Sequence, residues 1–151
     1  MPVPISMMDF PDSLEAVNDH FYARGWTDGL PIIPPTPTRV EKMMSGMPWR
    51  SSDDVIGIVP PAMGAATLRA IAVNAVMAGC LPAYLRVVVA AVSAVLEKSY
   101  GLAHRQTTTH AGAPLLIVNG PVIKEIGLNY GNGVFGPGWR ANATIGRCVW
   151  C

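Results

Sequence analysis

Val55-Ile-Gly-Ile-Val-Pro-Pro61, together with the apolar run from Ala65 to Leu96, decides how this chain folds. Residues Val55 to Val59 form a short apolar run closed by Asp53-Asp54 before it and Pro60-Pro61 after it, the pattern of a buried strand. Past the prolines the period changes to that of a helix. The sequence predicts one helix from Ala65 to Ala78 and another from Pro82 to Leu96, with Pro82 in the first turn and Gly79-Cys-Leu between them. Both are apolar nearly all round, so both belong inside. Pro114-Leu-Leu-Ile-Val118 reads as a second strand, and Asn119-Gly-Pro121 turns the chain into a short helical piece from Val122 to Ile126.

Working outward, Asp12 or Ser13 caps an amphipathic helix with Leu14, Val17 and Phe21 on one face and Gly25 as its stop. Thr38 to Ser45 reads as a shorter helix closed by Gly46. Ile32 and Ile33 lie between prolines, which restricts them to an edge strand or an extended segment. Strand, helices, strand, turn and helix give an α/β or α+β class: a small sheet packed by two long apolar helices, one domain over 1–151. A last helix starts near Asn142 and has few residues to run, too few to stand without docking. The C-terminus is therefore read as incomplete, and the chain as a fragment of a longer domain.

Half of the 151 residues are hydrophobic and only 14% are charged, so much of the surface is either apolar or covered. That favours a homo-oligomer or a protein partner. A formal charge of +1 without any basic run gives nucleic acid nothing to bind. The N-terminus lacks the cationic and apolar regions of a signal peptide, and Arg69, Pro82 and Arg86 interrupt the longest apolar region. A cytoplasmic protein without a membrane span is expected. Three cysteines make no disulfide framework. Cys80 reads as a small buried residue at a helix end. Cys148-Val-Trp-Cys151 has the spacing of a redox dithiol, with Cys148 and Cys151 as its thiols, although no second Cys/His pair completes a metal site.

Two loops carry the polar chemistry. Gly127-Leu-Asn-Tyr-Gly-Asn-Gly-Val-Phe-Gly-Pro-Gly-Trp-Arg-Ala-Asn-Ala-Thr-Ile-Gly146 surrounds two early asparagines, an arginine, a third asparagine and a threonine with glycine. Glycine lets backbone N–H groups converge on a ligand, which makes Asn129, Asn132, Gly133, Gly136, Gly138, Arg140, Asn142 and Thr144 candidates for holding a polar or anionic group. No known phosphate fingerprint is present. The plain alternative is an irregular surface loop. In His104-Arg-Gln-Thr-Thr-Thr-His-Ala-Gly-Ala-Pro114, hydroxyls and imidazoles approach the expected strand, which nominates His110 as general base with Thr109 beside it. An exposed turn is the alternative there. Asp28, in an Asp-Gly context, reads as a turn residue, and Asn74 as an amide in need of a partner.

Four segments resemble a bacterial family associated with the UGSC-type (seleno)proteins. They are Gly25-Trp-Thr-Asp-Gly-Leu-Pro-Ile-Ile-Pro-Pro-Thr36, Ala72-Val-Asn-Ala-Val-Met-Ala-Gly-Cys-Leu-Pro82, Thr108-Thr-His-Ala-Gly-Ala-Pro-Leu-Leu-Ile-Val-Asn-Gly-Pro121 and Phe135-Gly-Pro-Gly-Trp-Arg-Ala-Asn-Ala-Thr-Ile-Gly-Arg147. UGSC denotes a selenocysteine or cysteine motif of the associated protein, and it does not occur here. The resemblance implies a longer apolar helix where this chain has Cys-Val-Trp-Cys, and a thiol or selenol redox partner. It assigns no catalytic residue to a position of this chain and leaves the cofactor unknown. The function expected is that of part of an enzyme or enzyme complex binding a small polar or anionic metabolite between the Thr-Thr-His and glycine-rich loops. A non-catalytic structural subunit that docks a catalytic partner is the alternative.

Overall fold

A computed structural model describes residues 7–150. In chain order they form α1 (Leu14–Ala23), α2 (Pro37–Met44), β1 (Val55–Val59), β2 (Gly64–Thr67), α3 (Leu68–Ala78), α4 (Leu85–Leu96), α5 (Leu102–Thr107), α6 (Val122–Glu125) and α7 (Arg140–Trp150). The class is mixed α+β, with the sheet reduced among the described residues to one antiparallel pair packed against α3 and α4. No described helix is long and apolar enough to cross a membrane.

The hairpin begins where the apolar run predicts and then departs from it. Ala65 and Ala66, expected to open a helix, pair instead with Ile58 and Gly57 in β2, with an irregularity in β1 between Val55 and Gly57. The helix starts at Leu68 because Thr67 is still extended and its Oγ1 accepts the Ala70 N–H at 3.1 Å. A cap overrides the good helix propensity of two alanines. The turn between the strands holds a cis Pro60–Pro61 peptide.

α3 and α4 supply the centre of the core. Leu68, Leu85 and Val88 are fully enclosed, and Ile71, Ala72, Ala75, Val76, Val87 and Val89 surround them. Val40 and Met43 of α2 close one side, and Ala141 and Ile145 of α7 close another. α1 docks differently: only Val17 is buried, and its outer turns meet the loop through edge contacts of His20 and Phe21 with Trp26. Ser13, not Asp12, makes its cap, accepting from the Ala16 N–H. Ile32 and Ile33 form no strand. They run extended, the Ile33 N–H donating to the Met77 carbonyl at 3.2 Å and the Ile32 N–H to Asn18 Oδ1 at 2.6 Å.

The second expected strand is absent. Residues 114–118 alternate as a strand does, Leu116 and Val118 against the core while Leu115 and Ile117 are 68% and 78% exposed. No backbone hydrogen bond among the described residues pairs them with a neighbour, and without a ladder an alternating pattern remains only an extended segment. Trp26, Trp49, Phe135 and Trp139 are also exposed.

Replacing Leu85 by alanine removes a fully enclosed side chain from this core and should lower unfolding free energy by about 3 kcal/mol. Leu115→Ala should change it by less than about 0.5 kcal/mol. Urea titration of both variants against the parent checks the contrast.

Candidate functional site

α3 ends at Gly79, whose φ of +88° is the left-handed conformation that glycine adopts without strain. The carbonyl of that residue accepts two hydrogen bonds from Arg140, from Nε at 3.1 Å and Nη2 at 3.0 Å. The next residue, Cys80, is 6% exposed and points its Sγ at the Thr144 carbonyl, 3.4 Å away. Arg140, Thr144 and Cys148 are spaced four apart on α7, so one helix face meets the end of α3. Cys148 thereby packs against the core beside Cys80. Hydrogen bonding by Cys148 outweighs burial and, aided by Thr144 and the Arg140 charge, holds the Cys80 thiol below the ordinary cysteine range.

The glycine-rich loop spends its polar groups on itself. Asn142 Oδ1 accepts the Asn129 N–H at 2.8 Å, and its Nδ2 donates to the Asn129 and Val134 carbonyls at 2.9 and 3.3 Å. Asn129 Nδ2 in turn donates to the Asn132 carbonyl, and Asn129 Oδ1 accepts from the Gly131 N–H. The Gly136 N–H donates to the Gly133 carbonyl at 2.7 Å, and Thr144 Oγ1 donates to the Arg140 carbonyl at 2.8 Å. Gly133 and Gly138 have positive φ, which the folded-back path requires. Asn142 is not the cap of the last helix, which starts at Arg140; it is a clasp that ties the loop to α7.

His110 stands elsewhere, at a cavity of about 670 Å³. Tyr100, His104, Arg105, Thr108 and His110 line it on one side, with Val149 and Trp150 at the end of α7 on the other. Arg105 is positioned before any ligand arrives. Its Nε donates to the Tyr100 carbonyl at 2.8 Å, and its guanidinium carbon sits 4.6 Å from the centre of the Tyr100 ring. Thr109 lies outside the lining, as does every residue of 129–144.

A smaller cavity of about 410 Å³ lies over the start of the chain's Trp-Thr-Asp-Gly turn. Trp26, Asp28, Asn74, Arg147, Cys148 and Trp150 are among its walls. Asp28 does act as a turn residue, accepting the Leu30 N–H on Oδ1 at 3.1 Å, and it also forms a two-pronged pair with Arg147 at 2.7 Å on each oxygen. Both side chains are only about a fifth exposed, at 19% and 21%, so the pair is shielded more than a surface pair would be. Asn74 Nδ2 donates to the Ala70 carbonyl within its own helix.

Arg147, Trp150 and the meeting of Cys80 with Cys148 had no signal in the sequence beyond residue type. Cys151 lies outside the described residues. No cluster of potential metal ligands occurs among the described residues. No known family model matches the chain, and no curated protein or solved structure shows significant similarity to it. The likeness to the UGSC-type family thus rests on the quoted motifs alone.

Asn142→Ala removes three hydrogen bonds at a partly buried position and should cost about 2 kcal/mol of stability, with 129–138 losing amide protection first. Hydrogen exchange with mass spectrometry gives both numbers. A ligand-holding asparagine would instead leave the stability of the unliganded chain unchanged.

Proposed function

We propose that this chain belongs to an enzyme or enzyme complex and binds a small anionic metabolite in the larger cavity. The observation that carries the reading is the lining. Arg105 and two imidazoles, His104 and His110, face one space that no carboxylate among the described residues lines. A guanidinium fixed by stacking loses little freedom on meeting a carboxylate or phosphate, and its planar fork suits either. Tyr100 and Trp150 offer aromatic walls to the rest of such a ligand. His110 is the group assigned to move a proton; Thr108, rather than the expected Thr109, stands beside it in the lining. The glycine-rich loop has a bracing role in this reading, with Arg140 holding α3 to α7 rather than holding an anion.

The test is titration of isotope-labelled protein with inorganic phosphate and with citrate, followed by amide NMR. Shifts should map to 100–112. Arg105→Ala and His110→Ala should each weaken binding about tenfold or more, a loss of roughly 1.4 kcal/mol, while Thr109→Ala should not. Equal binding by all three variants would remove the proposal.

A second reading, a structural subunit docking another chain, draws on the unpaired 114–118 segment. Its exposed Leu115 and Ile117 stand on backbone that no described strand pairs, the arrangement through which a sheet edge recruits a neighbour. Light scattering should then report an oligomer that Ile117→Asp converts to monomer. A parent protein that is monomeric at every concentration would count against it.

A further inference from the structure

We propose that Cys80 and Cys148 are a redox dithiol, closing to an intramolecular disulfide when a hydroperoxide reaches Cys148 through the smaller cavity. This does not depend on what the larger cavity binds. Three observations of geometry support it. The two thiols, far apart in sequence, meet at the junction of α3 and α7: Cys80 Sγ lies 3.4 Å from the Thr144 carbonyl, and Cys148, four residues further along the same face of α7, packs against the core that holds Cys80. They differ in access: Cys80 is buried, whereas Cys148 is half-buried and forms part of the cavity wall. The surroundings are electropositive and polar, with the Arg140 guanidinium beside Cys80 and the Thr144 carbonyl at 3.4 Å from its sulfur.

Cysteine reactivity follows thiolate character and access, and here the two properties are divided between partners in contact. The depressed Cys80 thiol, held down first by its hydrogen bond with Cys148, fits a pair that shares protons rather than two isolated side chains. In the first step Cys148 Sγ attacks the terminal oxygen of the hydroperoxide. The O–O bond breaks, the thiol proton passes to the departing alkoxide, and the products are an alcohol and a Cys148 sulfenic acid. In the second step Cys80 Sγ attacks Cys148 Sγ, the S–O bond breaks, and the oxygen leaves as water with the Cys80 proton. Two thiols and one hydroperoxide thus give one disulfide, one alcohol and one water. The sulfurs lose two electrons and the peroxide bond gains them.

The sequence spacing points to another pairing, Cys148 with Cys151, and the experiment separates the two. Reduced full-length chain is treated with cumene hydroperoxide, blocked with N-ethylmaleimide, digested with trypsin and read by mass spectrometry. Two of the three thiols should be lost, and peptide 70–86 should be found joined to peptide 148–151. In Cys151→Ser the same crosslink should form; in Cys148→Ser it should disappear while circular dichroism shows the fold intact. Cys80→Ala tests the buried partner without changing its size greatly, and should leave Cys148 to oxidise past sulfenic acid. An internal 148–151 disulfide with Cys80 alkylated would overturn the proposal, as would a Cys80 crosslink surviving in Cys148→Ser or oxidation that never yields a crosslink.

Discussion

The turn from Gly79 to Pro82 is the constraint on which the remaining packing depends. It must reverse the chain between two buried helices while other elements press on it from both sides. From one side α7 approaches so closely that a Cβ on Gly79 would touch Thr144 Cγ2 at 3.5 Å and Ile33 Cδ1 at 3.7 Å. From the other, Gly46, two residues past the end of α2, lies where any Cβ would collide with the Pro82 carbonyl. Left-handed geometry at Gly79 aims its carbonyl outward, and Arg140 closes on it with two donors. Three separate stretches of chain therefore meet around these four residues, and the position of α7 follows from that meeting.

How much of this was legible in the sequence depends on range. α3, α4 and their glycine stop could be read because helix period, apolar content and C-cap chemistry are local. β1 was legible as a strand for the same reason but not as a buried one: Val55 and Ile58 are exposed, because the hairpin has a single partner strand and packs on the helices from one side only. β2 was not, because Ala65 and Ala66 fit either state and only the Thr67 cap and the facing strand decide between them. The run at 114–118 misled in the opposite direction, since its alternation is local while a strand is defined by a partner. Pattern reading detects alternation and period. It does not detect whether a neighbouring backbone exists.

The same distinction governs the candidate site. Glycines and asparagines in 127–146 correctly announced unusual backbone, yet the groups that looked available to a ligand have partners of their own. Asn142 reaches back thirteen residues to clasp Asn129, and Arg140 reaches sixty-one residues to Gly79. A polar side chain in a glycine-rich loop satisfies its hydrogen bonds with whatever the fold places nearby, and internal backbone is nearer than solvent-borne ligand. His110 differs because its imbalance is one of composition around a cavity, where Arg105 and His104 stand with it and no acid among the described residues offsets them.

α7 links these features into one mechanical unit. Arg140, Thr144 and Cys148 run along the face that meets the α3 terminus, Ala141 and Ile145 enter the core, and Asn142 holds the loop. Its last turn supplies Arg147 and Cys148 to the smaller cavity, Val149 to the larger one, and Trp150 to both. A rotation or slide of this helix cannot alter one cavity alone, because packed side chains reposition together rather than deform separately. The Arg140 clamp in the first turn and the Asp28–Arg147 pair in the last both fix the rotation of the helix. A covalent bond at Cys148 would act beside the second of these, where it restrains the last turn that forms a wall for each cavity. The proposed oxidation of Cys80 and Cys148 and the shape of the larger cavity are therefore joined through the backbone of α7, although neither cysteine lines that cavity.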